Sequence, residues 1–152
     1  MIEIINYTRE YKDYIKIFNY EWLNKFFSVE PLDEIQLSNP QEELIDKGGH
    51  IFYATFDNII AGTATLIRKD AHTYELGKMA ITEIYQGKGI ANILMDHCID
   101  FARSLNAHKL VLYSNSKLIP AINLYKKYGF TEVPMNDSHY IRSDIKMEKV
   151  LQ

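Results

Sequence analysis

The stretch Tyr85-Gln86-Gly87-Lys88-Gly89-Ile90-Ala91 constrains the fold of this chain more than any other. It follows a run with the residue types of a strand, Tyr74 to Ile81. It opens a run with helical periodicity, in which Ile90, Leu94, Cys98, Phe101 and Leu105 share one face. A glycine-rich turn between a strand and a helix bares backbone N–H groups at the positive end of the helix dipole. Such a turn can hold a phosphate.

Spacing narrows the choice of ligand. A nucleoside-triphosphate loop needs four residues between its first glycine and a Gly-Lys-Ser/Thr, and that pattern is absent. A dinucleotide fingerprint needs Gly-x-Gly-x-x-Gly. Gly87 and Gly89 supply two of its glycines, but position 92 is Asn. The acidic ribose partner expected about 20 positions later is also missing, because the region around Lys109 is basic and apolar. What fits is Gln-x-x-Gly-x-Ala, at Gln86, Gly89 and Ala91. It is followed about 35 residues downstream by Asn123-Leu124-Tyr125 and Tyr128-Gly129-Phe130.

On these two segments the chain resembles the GNAT superfamily of acetyl-CoA-dependent N-acetyltransferases, over nearly its whole length from Ile2 to Lys149. The resemblance implies an α/β fold with a central, mostly antiparallel mixed sheet of about seven strands, splayed between strands 4 and 5 and flanked by about four helices. It implies acetyl-CoA as cofactor, with the pyrophosphate wrapped by Gln86, Gly87, Lys88, Gly89, Ile90 and Ala91. Backbone amides of Met79, Ala80 and Ile81 would bind the pantetheine arm and polarise the thioester. It further implies transfer of acetyl to a primary amine, by direct attack in a ternary complex.

That chemistry needs a proton acceptor, an oxyanion donor and a proton donor. A free alkylamine has a pKa of about 10.4 and must lose a proton before it attacks. The tetrahedral oxyanion needs N–H donors, and the departing thiolate can take a proton from a positioned acid. Tyr125 matches the tyrosine that many GNAT members place beside the cofactor sulfur. Glu75, eleven residues before Gln86, stands at the offset of the base in the histone-acetylating branch. Asn115 and Asn123 are candidate contacts to the cofactor arm. For Asn115, six residues before Ala121, a turn-forming role weighs equally.

The acceptor side is less defined. Phe26 to Glu34 and the loop Pro134 to Tyr140 would flank it. Glu30, Asp33 and Glu34 beside Trp22, Phe26 and Phe27 could attract a cationic amine, although a solvated acidic turn over core aromatics is the preferred reading. His139 alone among the five histidines falls where an acceptor might reach, and none has metal-ligand spacing. Cys98 reads as core.

A chain of 152 residues is expected to form one domain, burying about two thirds of its extended surface. A net charge of −3 argues against a nucleic-acid binder. One cysteine precludes an internal disulfide and points to a reducing cytoplasm. Neither a signal peptide nor an apolar run long enough to span a bilayer is evident. The expected partner is a small-molecule or peptide amine, with no membrane or nucleic acid, and a homodimer is compatible with the chain. The alternative to an enzyme is a module that binds acetyl-CoA as a sensor without turnover.

The coarse element order is a strand from Ile2, an amphipathic helix on Tyr11, Ile15, Phe18, Trp22 and Phe26, and short helical pieces to Lys47. A hairpin Ile51–Phe56 and Ile59–Arg68 turns at Asp57-Asn58. The strand Tyr74–Ile81 and helix Ile90–Leu105 follow, then Lys109–Tyr113, helix Pro120–Tyr128, and strands Phe130–Val133 and Tyr140–Val150.

Overall fold

The computed structural model describes residues 1–151. Seven strands form one sheet: β1 (Ile2–Asn6), β2 (His50–Phe56), β3 (Ile59–Arg68), β4 (Thr73–Ile81), β5 (Lys109–Ser114), β6 (Thr131–Val133) and β7 (Ile145–Val150). Their spatial order is β1-β2-β3-β4-β5-β7-β6. Every neighbouring pair is antiparallel except β4 and β5, which run parallel. Helices α1 (Lys12–Phe26), α2 (Pro31–Ser38), α3 (Ile90–Ser104) and α4 (Ile119–Lys127) complete the layers.

Local chemistry accounts for most boundaries. Asp57 and Asn58 both adopt positive φ, at 48° and 69°, as a tight two-residue hairpin turn requires. Pro31 sits at the start of α2, where its missing N–H costs nothing. Gly129, at φ 90°, ends α4 in the left-handed conformation.

The sheet separates two apolar layers. On one face α3 buries Ile90, Leu94, Met95, Cys98, Ile99 and Ala102 against Phe52, Leu66, Leu76, Leu110 and Met147. On the other, Ile15 and Leu23 of α1 and Leu37 of α2 pack on Ile51 and Tyr53. Cys98 is fully buried and its thiol is pushed up to about 12 by burial, so it belongs to the core as the helical spacing indicates.

Two irregularities in β4 position the site. Its parallel pairing with β5 is confined to Thr73, Tyr74 and Glu75 opposite Lys109, Leu110 and Val111. From Leu76 onward β4 leaves β5, which stays paired with β7 along its other edge from Lys109 to Ser114, so the sheet opens as a wedge. A bulge lies within that free stretch. Gly77 opposes Thr65 and Ala80 opposes Thr63, leaving Lys78 and Met79 against Ala64 alone, with Lys78 at φ 50°.

The last strand departs from the sequence expectation. It begins at Ile145, and Tyr140 to Asp144 form a loop. The N–H groups of Ile141 and Arg142 donate to the Glu30 carboxylate (2.8 and 3.1 Å), which draws this segment toward α2 and away from a sheet ladder. The helical piece expected to run to Lys47 is a single π-type turn over Gln41–Ile45, and Gly48 follows it at φ 94°. Among the described residues no helix is long and apolar enough to cross a membrane.

Candidate active site

The wedge between β4 and β5 holds a cavity of about 230 Å³. Met79, Ala80 and Ile81 line it from β4, and Gln86 from the following turn. Asn115 lines it from the end of β5, and Tyr125 from α4. Glu75 lines it where the two strands part. Seven of the residues singled out in the sequence thus come together from distant parts of the chain.

At one end the turn into α3 is open. Gly87 and Gly89 have φ of 78° and 85°, and a Cβ added to either would meet nothing within 4 Å. A ligand can therefore approach this backbone closely. The N–H of Ile93 bonds back to the Gly89 carbonyl (3.3 Å), so the amides ahead of it have no helical acceptor. No acidic residue occupies the first turn of α3. Exposed Lys88 lies over the Phe56 ring, with Nζ 5.4 Å from its centroid. Gln86 braces the turn, its Nε2 donating to the Ile81 carbonyl at 3.0 Å. Free amides, absent acids and an uncrowded backbone fit a pyrophosphate. Ile90 is buried as the first residue of α3, so its contribution there is its backbone.

The Lys78–Met79 peptide has a fixed orientation. Asn19, fully buried on α1, donates from Nδ2 to the carbonyls of Ile15 (2.8 Å) and Lys78 (3.1 Å) and accepts from Trp22 Nε1 (3.0 Å). A trans peptide sets N–H and C=O on opposite sides. With the Lys78 carbonyl held toward α1, the Met79 N–H is turned the other way.

Glu75 is 7% exposed, and its Oε1 lies 3.3 Å from Lys69 Nζ. Burial pushes the Tyr125 phenol up to about 12, so it stays protonated at neutral pH. The side chain of Asn115 is already engaged: Nδ2 donates to the Arg142 carbonyl (2.8 Å), and Oδ1 accepts from the Lys117 N–H (2.8 Å). That is the turn-forming arrangement. Asn123 is exposed on α4 and lies outside the cavity lining, as does exposed His139. Among the described residues no group of three His, Cys, Asp or Glu could hold a metal ion.

The opposite end of the cavity corrects the reading of Asp33 as part of a solvated acidic turn. Asp33 is completely buried and takes two charged bonds from Arg142 (2.6 and 2.9 Å) and one from Lys78 (3.0 Å). Burial alone would raise its carboxyl. The Arg142 hydrogen bonds and the Lys78 charge outweigh that and hold it below the usual aspartate range. Lys78 is itself driven down by burial, opposed by Asp33, and also donates to the Tyr140 hydroxyl (2.9 Å). Tyr140 in turn donates to Gln36 Oε1 (2.9 Å). Together these contacts fasten the β6–β7 loop onto α2 and the β4 bulge. Asn19, Lys78 and Arg142 had no site role in the sequence reading, and Tyr140 entered it only as the end of the loop expected to flank the acceptor. The one local signal was Gly77-Lys78 interrupting an apolar strand, which marks a bulge.

The model of the acetyltransferase (GNAT) family matches residues 14–130. An acetyltransferase of the GNAT family from Staphylococcus aureus Mu50 superposes with a TM-score of 0.88 at 25% identity, covering 100% of both chains. Spermidine N-acetyltransferase of Vibrio cholerae, solved with CoA and spermine, shares the fold with a TM-score of 0.73 at 20% identity, over 98% of this chain and 95% of that one. N-acetylaspartate synthetase of Rattus norvegicus is 30% identical over 95 residues, which are 62% of this chain and 31% of that protein. The splayed β4–β5 pair, the glycine turn into α3 and the family match agree, and the chain belongs to the GNAT family of acetyltransferases.

Proposed function

We propose that this chain uses acetyl-CoA to acetylate a primary amine, which attacks the thioester directly within the β4–β5 wedge. The observation that carries this reading is that Glu75 and Tyr125 line one cavity from different elements, β4 and α4, with the open glycine turn near it. In this reading Gln86 to Ala91 cradle the pyrophosphate. The amides of Met79, Ala80 and Ile81 hold the acyl arm, and the Met79 N–H, set by Asn19, faces the developing oxyanion. Glu75 takes the amine proton, directly or through water. The neutral amine adds to the thioester carbonyl, forming the C–N bond and the tetrahedral oxyanion; collapse of that oxyanion breaks the C–S bond, and the Tyr125 phenol protonates the departing thiolate. Glu75 releases the proton it took and Tyr125 regains one, both by exchange with solvent, so that amine and acetyl-CoA give amide and CoA. The test is release of CoA over an amine panel, measured against thermal stabilisation by acetyl-CoA. Amine-dependent release supports transfer. Stabilisation with no release from any amine would make the chain a binding module instead.

A further inference from the structure

We propose that the acceptor is an amine with a single positive charge on a compact aromatic or apolar body, and that polyamines are excluded. This rests on the acetyl-transfer reading above. It follows from what the acceptor end of the cavity has left to offer.

That end is lined by Trp22, Phe26, Phe27 and Tyr140, and Phe26 is 53% exposed at its mouth. Aromatic walls beside carboxylates usually favour cations, through ring faces and through charge. Here both resources are already in use. Asp33 is closed off by Arg142 and Lys78. Glu30 accepts from the N–H groups of Ile141 and Arg142 and from the Arg142 guanidinium (3.4 Å). The ring faces carry the protein's own cations. Arg142 Cζ lies 4.3 Å from the Tyr140 centroid and 5.6 Å from that of Trp22. Lys78 Nζ is 4.7 Å from Tyr140, and Lys117 Nζ is 5.8 Å from Phe27.

Of the two carboxylates that line the cavity, Asp33 and Glu75, the second differs. Glu75 is paired with Lys69, a residue on the β3–β4 connection that retains 27% side-chain exposure, makes one ion-pair contact at 3.3 Å and otherwise has its Nζ 6.0 Å from the Tyr113 ring centroid. An entering ammonium can displace that lysine into solvent, so the cavity has one exchangeable site for one ammonium. A second ammonium within the cavity would meet Lys78 and Arg142, with Lys117 beside Phe27, and no lining carboxylate left free; like charges held close in a partly dry site are strongly disfavoured. The rings leave an apolar surface for the body that carries the amine.

The experiment compares kcat/KM for matched acceptors. Hexylamine against 1,6-diaminohexane differs only in the second charge, and 2-phenylethylamine against spermidine adds the ring. The expected result is a preference of about 10²-fold or more for each monoamine. Lys117→Glu, at an exposed position, should narrow the hexylamine-to-diaminohexane ratio by about tenfold by supplying the missing acid. Diamines or spermidine turned over as well as the monoamines would overturn the charge assignment while leaving acetyl transfer intact. Acetyl-CoA stabilisation without CoA release from any amine would overturn the transfer reading, and the acceptor class with it.

Discussion

The two ends of the cleft are built on opposite plans. At the α3 end the backbone is bare: glycines at positive φ, amides without acceptors and no side chain within reach of an added Cβ. At the α2 end nearly every polar group has a partner inside the protein, with Asp33, Glu30, Lys78, Arg142 and Tyr140 joined in one network. The first end holds its binding capacity in reserve for a ligand. The second uses its charges to hold a loop in place, and what it leaves for a ligand is mostly apolar wall. Binding energy and folding energy are thereby separated along a single cavity, and substitutions can be chosen that affect one and spare the other.

The largest effect is expected at the α2 end. Asp33→Ala leaves the buried charges of Arg142 and Lys78 without their acid and should destabilise the fold by about 3–5 kcal/mol, read by chemical denaturation. An exposed ion pair would lose less than about 1 kcal/mol, and that result would show the network to be solvated. The same pair sets an acid limit. Because the Asp33 carboxyl lies below its ordinary value of 3.8 in the folded chain, its contribution is fully present above that value and fades as pH falls through the lower, folded one. The stability gap between wild type and Asp33→Asn should therefore hold at neutral pH and shrink only below about pH 4.

At the α3 end the prediction inverts. Gly89→Glu should remove the stabilisation that acetyl-CoA confers, about 2.7 kcal/mol at a hundredfold excess over its Kd. The variant's own melting temperature should fall modestly, by the cost of a left-handed non-glycine residue of about 1–2 kcal/mol. A retained cofactor-dependent shift would place the phosphate elsewhere.

Glu75 sits between the two ends, and its effect should depend on pH. Glu75→Gln should lower kcat/KM about 10²-fold at neutral pH, where the amine is mostly charged. The deficit should close as pH approaches the amine's own pKa of about 10.4. A pH-independent deficit would instead indicate a positioning role.

The contrast between the two ends also explains what could be read in the sequence. The glycine turn, the buried face of α3 and the Tyr125 segment are local patterns, set by conformation and periodicity within a few residues. Gln86, Gly87 and Gly89 stand out in the sequence because a strand-to-helix turn of this kind needs those residue types at that spacing. The Asp33–Arg142 pair joins residues 109 apart, and neither has a neighbour that foretells the other. Tyr140-Ile141-Arg142 has the composition of a strand, but capture of two of its amides by Glu30 is a tertiary event. Asp33 looked solvated because acids in turns usually are. Its burial becomes visible only once Lys78 is turned toward it from the β4 bulge.

The central claim, acetyl transfer between β4 and β5 with Tyr125 at the leaving sulfur, is tested most directly by Tyr125→Phe. The variant keeps the ring that packs on Phe130, with centroids 6.1 Å apart, and removes only the hydroxyl. Amine-dependent CoA release should fall by about 10²–10⁴-fold, while acetyl-CoA raises the melting temperature as much as in the wild type. Undiminished turnover in the phenylalanine variant would contradict the account.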